Sequence, residues 1–221
     1  MARDLFNREL TELQDAILAM GSMAEKAILD SMEALRDGDV QWSHKIIADD
    51  LRINEKRFEI EDRALFVIAS QQPMATDLRA LASVLYIVTD LERIADHAEG
   101  IARINLLLVD EPMPRKLGYI PSMADRAVAM LSGALKAYVE HDVDTARQIC
   151  NADDEVDRLQ DSVYEESFKA MIADPSTIQR NTYLLWAAHN LERIADRCTN
   201  ICERIIYVAT GKMQEINSSK Y

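Results

Sequence analysis

The sequence predicts an all-α protein built from two tandem, pseudo-symmetric three-helix bundles, and three observations carry that prediction. Across 221 residues there are 6 glycines, 5 prolines and 6% aromatic side chains, a composition that starves turns and strands and favours long helices. The prolines stand at Pro73, Pro112, Pro114, Pro121 and Pro175 and leave long stretches without a helix breaker. The hexapeptide LERIAD occurs at Leu91–Asp96 and again, unchanged, at Leu191–Asp196.

Taken in order, the first amphipathic helix covers about 3–37, with Met20, Met23 and Met32 as adaptable core filler. A second, about 40–71, starts after Asp39-Val40, and the turn at Pro73 separates it from a third, about 74–108. In that third helix Leu91, Ile94, Ala95, Ala98, Ile101 and Ala102 recur at spacings of three and four and form one apolar face. The segment from Val109 to Pro121 holds four charged residues and three prolines and reads as an exposed connection. Helices at about 121–141, 143–173 and 176–210 complete the second half. Gly38, Gly118 and Gly211 lie near helix ends, where a left-handed cap is expected.

The halves align residue by residue. Asp39-Val40 corresponds to Asp142-Val143, Asp50 to Asp153, and Ile53-Asn54 to Val156-Asp157, an offset of 103 that falls to 100 through a three-residue difference near Pro73 and Pro175. The expected units are 1–110 and 117–215.

Charge narrows the function. Twenty-five Lys and Arg against 38 Asp and Glu give a net charge of −13, which repels nucleic acid and anionic lipid and leaves metal cations and basic protein patches as partners. The three cysteines, Cys150, Cys198 and Cys202, form no disulfide framework and fit a reducing compartment. MARDLFNREL at the amino terminus carries charges where a secretory signal needs an apolar run, so the expectation is a cytoplasmic protein. The longest uncharged run, Ala64 to Thr76, contains Gln, Pro and Ser and falls short of the ~18 apolar residues a membrane span needs, so no membrane insertion is expected.

On the third helix Glu92, Asp96 and Glu99 stand at i, i+4 and i+7, within about 40° of one line down the helix and away from its apolar face. The second half repeats the stripe with Glu192, Asp196 and Glu203, with Asn200 between them. On the preceding helices Asp50 and Asn54, and Asp153 and Asp157, put further oxygen ligands one turn apart, where antiparallel packing could bring each pair beside an ExxxD pair. Such repulsion needs an offset. Arg93, Arg103 and Arg193 could provide it as a solvated salt-bridge ladder, and an oxygen-ligated hard cation or small cation cluster could do the same.

Other chemistries find little support. A ferritin-like di-iron site needs Glu-x-x-His, but the residues three before His44, His97, His141 and His189 are Gln41, Ile94, Tyr138 and Trp186. Cys198 and Cys202, at i and i+4, read as core thiols, and His97 as an exposed helix histidine. There is no GxxxxGK, GxGxxG, GxSxG or HExxH motif, and no catalytic constellation.

Three segments, QQPMATDLRA at Gln71–Ala80, DLERIADHAEGIAR at Asp90–Arg103 and NLERIADRCTNICERI at Asn190–Ile205, resemble the PhoU family of accessory regulators of the phosphate-specific ABC transporter. Two departures are Ala95 and Ala195, where the family usually has glycine, and Asn54, where the second half has Asp157. The resemblance implies two three-helix bundles and, in several members, surface sites for divalent or iron-type metal ions or clusters. Carried onto this chain, the candidates are Glu92, Asp96, Asp50 and Asn54 in one half and Glu192, Asp196, Asp153 and Asp157 in the other. It implies negative regulation of phosphate uptake and of the phosphate-starvation response by contact, with the transporter's ATPase subunit and a sensor histidine kinase as partners, in a family that includes homodimers. The alternative class is a metalloenzyme using clustered metals for redox or hydrolytic chemistry.

Overall fold

The computed structural model describes residues 2–111 and 117–216, and within them the chain forms six α-helices and one short 3₁₀ turn. They are α1 (Ala2–Asp37), α2 (Val40–Gln71), α3 (Thr76–Leu107), α4 (Ile120–Glu140), α5 (Val143–Ala173) and α6 (Ile178–Thr210), with the 3₁₀ turn at Pro175–Thr177. At 1.5 Å per residue the longest of these rods spans about 50 Å.

Local chemistry sets each end. Asp39 caps α2 by accepting from the Trp42 backbone N–H at 2.9 Å, and its aligned partner Asp142 caps α5 by accepting from Asp144 and Thr145, each at 3.0 Å. Helix α2 closes on Gln72 in the left-handed region, φ 48°, immediately before Pro73. Gly211 ends α6 at φ 73° with its N–H on the Tyr207 carbonyl at 2.8 Å, and Gly38 and Gly118 also take positive φ. Ala75, at φ 50°, holds back the start of α3 to Thr76, two residues later than the spacing predicts.

Each half is a three-helix bundle, but one hydrophobic cluster runs through all six helices. On α1, Leu13, Ile17, Met20, Ala24 and Ile28 are fully buried, while Met23 and Met32 pack against the core as partly buried side chains. Helices α3 and α6 meet at the centre, and α1 meets α4 beside them; α2 and α5 flank this four-helix seam without touching one another. At the α1–α4 contact Gly21 lies so close to the Leu135 side chain that a methyl group in its place would overlap it.

The connection between the halves is only partly the exposed strap expected. Val109, Asp110, Tyr119 and Pro121 are exposed, yet Leu117 and Ile120 are buried and anchor the entry to α4. Pro112 and Pro114 lie outside the described residues.

The seam between α3 and α6 is antiparallel and pseudo-two-fold. Asn200 Nδ2 donates to Asp90 Oδ1 at 3.3 Å, with Arg197 Nη1 3.5 Å from the same oxygen. At the symmetry-related place His97 Nδ1 lies 3.0 Å from Asn190 Oδ1, and Gly100 sits so close that an added Cβ would stand 3.0 Å from that oxygen. At this seam Gly100, which has no side chain, is what lets α3 come so near Asn190 of α6.

Candidate functional site: paired carboxylate faces

In the first half, Asp50 and Asn54 of α2 face Glu92, Asp96 and Glu99 of α3. Asn54 Nδ2 donates to Asp50 Oδ2 at 3.1 Å, and Asp50 Oδ1 and Asn54 Oδ1 are buried without a hydrogen-bond partner. Burial, followed by the charges of Asp96, Glu99 and Glu92, pushes the Asp50 carboxyl up to about 6. A cleft between α1, α2 and α3, lined among others by Met23, Asp30, Ile53, Ala95 and Glu99, opens onto Asp50.

Glu92 departs from the exposed stripe expected of it: the residue is 7% exposed. The expectation counted its angle on α3 but not the long side chain of Arg57 on α2, which covers it and donates from Nη1 to Glu92 Oε1 at 2.9 Å. Its Oε2 is 3.5 Å from Arg93 Nε and makes no hydrogen bond. Burial raises the Glu92 pKa, Asp96 adds to the rise, and Arg57 and Arg93 oppose it. The expected arginine ladder is present beside it, with Arg93 on Asp96 at 3.0 Å and Arg103 on Glu99 at 2.5 Å.

In the second half, Glu192 and Asp196 of α6 stand near Asp153 and Asp157 of α5. Burial and then the Asp196 charge, with Asp157 and Asp153 contributing further, push the Glu192 carboxyl up to about 7 against the pull of Arg193. Glu192 Oε2 has no hydrogen-bond partner; His189 Nδ1 lies 3.4 Å away. Arg193 pairs with Asp196 at 2.6 Å, repeating Arg93 and Asp96. Asp153, like Glu92, is buried at 6% exposure rather than on an open face, because it stands on the inner side of α5 against α6.

The structure thus brings each D/N-x-x-x-D/N pair beside its ExxxD pair, as the repeat predicts. Among the described residues, no three or more His, Cys, Asp or Glu side chains are already arranged to hold a metal ion. Arg57 and Asp90 escape the sequence reading, and His97 departs from the exposed position expected of it. Arg57 sits seven residues after Asp50, so extending the α2 stripe by one turn would have found it. Asp90 and His97 flank LERIAD and are seam residues: burial raises the Asp90 pKa and lowers that of His97, which is half-buried rather than exposed. Cys150, Cys198 and Cys202 are buried and not joined in disulfides, and burial pushes the Cys198 thiol upward.

Comparison with known proteins identifies the family. The PhoU domain model matches residues 17–104 and 120–205, one copy on each half. The chain is 41% identical to the phosphate-specific transport system accessory protein PhoU homolog of Clostridium acetobutylicum, over 98% of this chain and all of that protein. It is 36% identical to the homolog of Rhizobium meliloti, over 93% of this chain and 87% of that one. The crystal structure of PhoU from Pseudomonas aeruginosa superimposes with a TM-score of 0.88 at 34% identity, covering 94% of this chain and 100% of that one. The phosphate transport system regulatory protein PhoU from Streptococcus pneumoniae gives 0.89 at 30% identity, covering 95% and 99%. With a family model on both halves and full-length relatives at this identity, the chain belongs to the PhoU family.

Proposed function

We propose that this protein regulates phosphate homeostasis in the cytoplasm, restraining high-affinity phosphate uptake and phosphate-starvation signalling when phosphate is plentiful. It acts by contact with the ATPase subunit of the phosphate ABC transporter and with a sensor histidine kinase, and without chemistry of its own. The observation that carries this reading is the end-to-end match to accessory proteins of the phosphate-specific transport system. No helix among the described residues is long and apolar enough to cross a membrane.

The docking surfaces are the two carboxylate faces. Their repetition across the seam gives two similar acidic helical surfaces for basic or cation-bridged patches on partners. The donor set of the second half is all oxygen, with Glu192 Oε2 lacking a hydrogen-bond partner, which suits a hard divalent or iron-type cation. Such a cation would supply charge neutralisation and a bridge to partner carboxylates or phosphates, and Glu192, Asp196, Asp153 and Asp157 are the residues that would hold it in the second half.

The test is complementation of a strain lacking this protein, with phosphate uptake and a phosphate-starvation reporter as readouts. The wild-type chain restores repression in high phosphate, and Glu92→Lys with Asp96→Lys restores less at equal protein level. Full repression by the charge-reversed form would refute docking through these faces; no repression by the wild type would refute the regulatory reading.

A further inference from the structure

The two carboxylate faces are related by the repeat but are not chemically equal. Arg57 reaches from α2 to Glu92 on α3, with Nη1 2.9 Å from Oε1, and its Nε lies 3.5 Å from Glu61 Oε1. Both ends of the Arg57–Glu92 pair are largely withdrawn from water, at 19% and 10% side-chain exposure. The aligned position in the second half, 103 residues on, is Gln160, and the position of Glu61 is taken by Tyr164. That alignment is fixed by the structure itself, because the caps Asp39 and Asp142 and the buried positions Ile46 and Ile149, Ile53 and Val156, and Ile60 and Val163 all keep the same offset.

A second difference points the same way. Asn54 presents an amide N–H₂ to Asp50 where Asp157 would present a carboxylate. The first half has thus exchanged one anionic ligand for a neutral donor and gained a fixed guanidinium on the ExxxD glutamate. A guanidinium donates through planar N–H groups and carries a permanent positive charge, so it satisfies a carboxylate oxygen that a metal would otherwise ligate and repels an arriving cation. A metal ion ligated through Glu92 Oε1 would have to displace Arg57, leaving the guanidinium only its 3.5 Å contact with Glu61.

We infer that Arg57 takes the place of a metal cation in the first-half cluster, so that this cluster is closed to metal and the two faces of the protein differ in their metal dependence. The inference rests on the reading that cations bind these carboxylate clusters, and it deepens that reading by separating a self-neutralised face from a cation-dependent one. A partner contacting the first-half face would then do so independently of metal supply, whereas contact with the second-half face would follow it.

The experiment is Mn²⁺ binding to the purified full-length chain, by calorimetry and by elemental analysis after desalting, with thermal unfolding in EDTA alongside. The wild type binds Mn²⁺, loses it in Glu192→Ala/Asp196→Ala, and keeps it in Glu92→Ala/Asp96→Ala. Converting the first half to the second, with Asn54→Asp and Arg57→Gln, doubles the bound Mn²⁺ and lowers the EDTA midpoint, and added Mn²⁺ recovers that midpoint. The reciprocal Asp157→Asn/Gln160→Arg abolishes binding, and keeps the test open should the first-half variant fail to fold. Loss of metal from the wild type on Glu92→Ala/Asp96→Ala, or no gain in Asn54→Asp/Arg57→Gln, would overturn the role of Arg57 and leave the metal reading standing. Absence of Mn²⁺ from every form would overturn the metal reading and this inference with it.

Discussion

Glu192→Gln makes the metal-free protein more stable at pH 8, and the size of the gain follows from the site. Burial and the neighbouring carboxylates carry the Glu192 carboxyl from its ordinary 4.5 up to about 7. Each pH unit of displacement corresponds to ~1.4 kcal/mol between the two protonation states, about 3.5 kcal/mol in all, and solvent screening of this half-buried group reduces the cost of ionising Glu192 to about 2–3 kcal/mol. The sign follows from linkage. Between pH 4.5 and 7 the folded protein holds this proton while the unfolded chain has released it, so the contribution to stability falls as pH rises through that window and levels off above it. Glutamine keeps the shape and removes the charge, so the gain over wild type is absent below about pH 4.5 and complete by pH 8. For a chain of this length it amounts to a midpoint rise of about 5–10 °C. The assay is thermal unfolding followed by circular dichroism in EDTA from pH 4 to 8. A Glu192→Gln curve that tracks wild type across the whole range, or lies below it at pH 8, would refute a desolvated and repelled carboxylate at this position. With Mn²⁺ present the order reverses, because the proposed cation would lose a ligand.

Other predictions concern the packing that holds the faces in place. Ile94→Ala, at a fully buried position on α3, lowers stability by about 2–5 kcal/mol, read as a shifted urea midpoint with unchanged slope. Gly21→Val costs about 1–3 kcal/mol through overlap with Leu135, whereas Gly38→Ala, in open space at φ 65°, costs about 1 kcal/mol from backbone strain alone; denaturant unfolding of the two separates crowding from strain. Arg197→Met costs about 2 kcal/mol at pH 8 by leaving the ionised Asp90 without its guanidinium. That penalty shrinks in acid, because burial already raises the Asp90 pKa and the carboxyl takes up its proton early.

Much of the fold is legible in the sequence because its punctuation is local. Asp39 and Asp142 cap their helices through side-chain bonds to the next turn, Pro73 and Pro175 interrupt the chain, and Gly211 supplies a left-handed stop. The apolar spacing of Leu91, Ile94, Ala98 and Ile101 marks the inner face of α3 in the same local way. The seam between the halves is not local. Asp90 with Arg197 and Asn200, and His97 with Asn190, are pairs about a hundred residues apart whose meeting depends on how two bundles dock. The site is legible to the same depth. The pairing of carboxylates within each half follows from the repeat, but the burial of Glu92 depends on how far the Arg57 side chain reaches across from α2. A helical angle places a Cβ on one side of a helix and says nothing of a guanidinium arriving from the neighbouring one. That reach is also what makes the two faces unequal.

The central claim, docking through paired carboxylate faces, is tested most directly by calorimetric titration of the purified chain with the phosphate transporter's ATPase subunit. Wild type would be compared with Glu92→Lys/Asp96→Lys and with Glu192→Lys/Asp196→Lys, after circular dichroism shows equal helical content. The account predicts that at least one charge-reversed pair weakens binding about 10-fold or more, a loss of ~1.4 kcal/mol or more. Equal affinity for all three forms would contradict it.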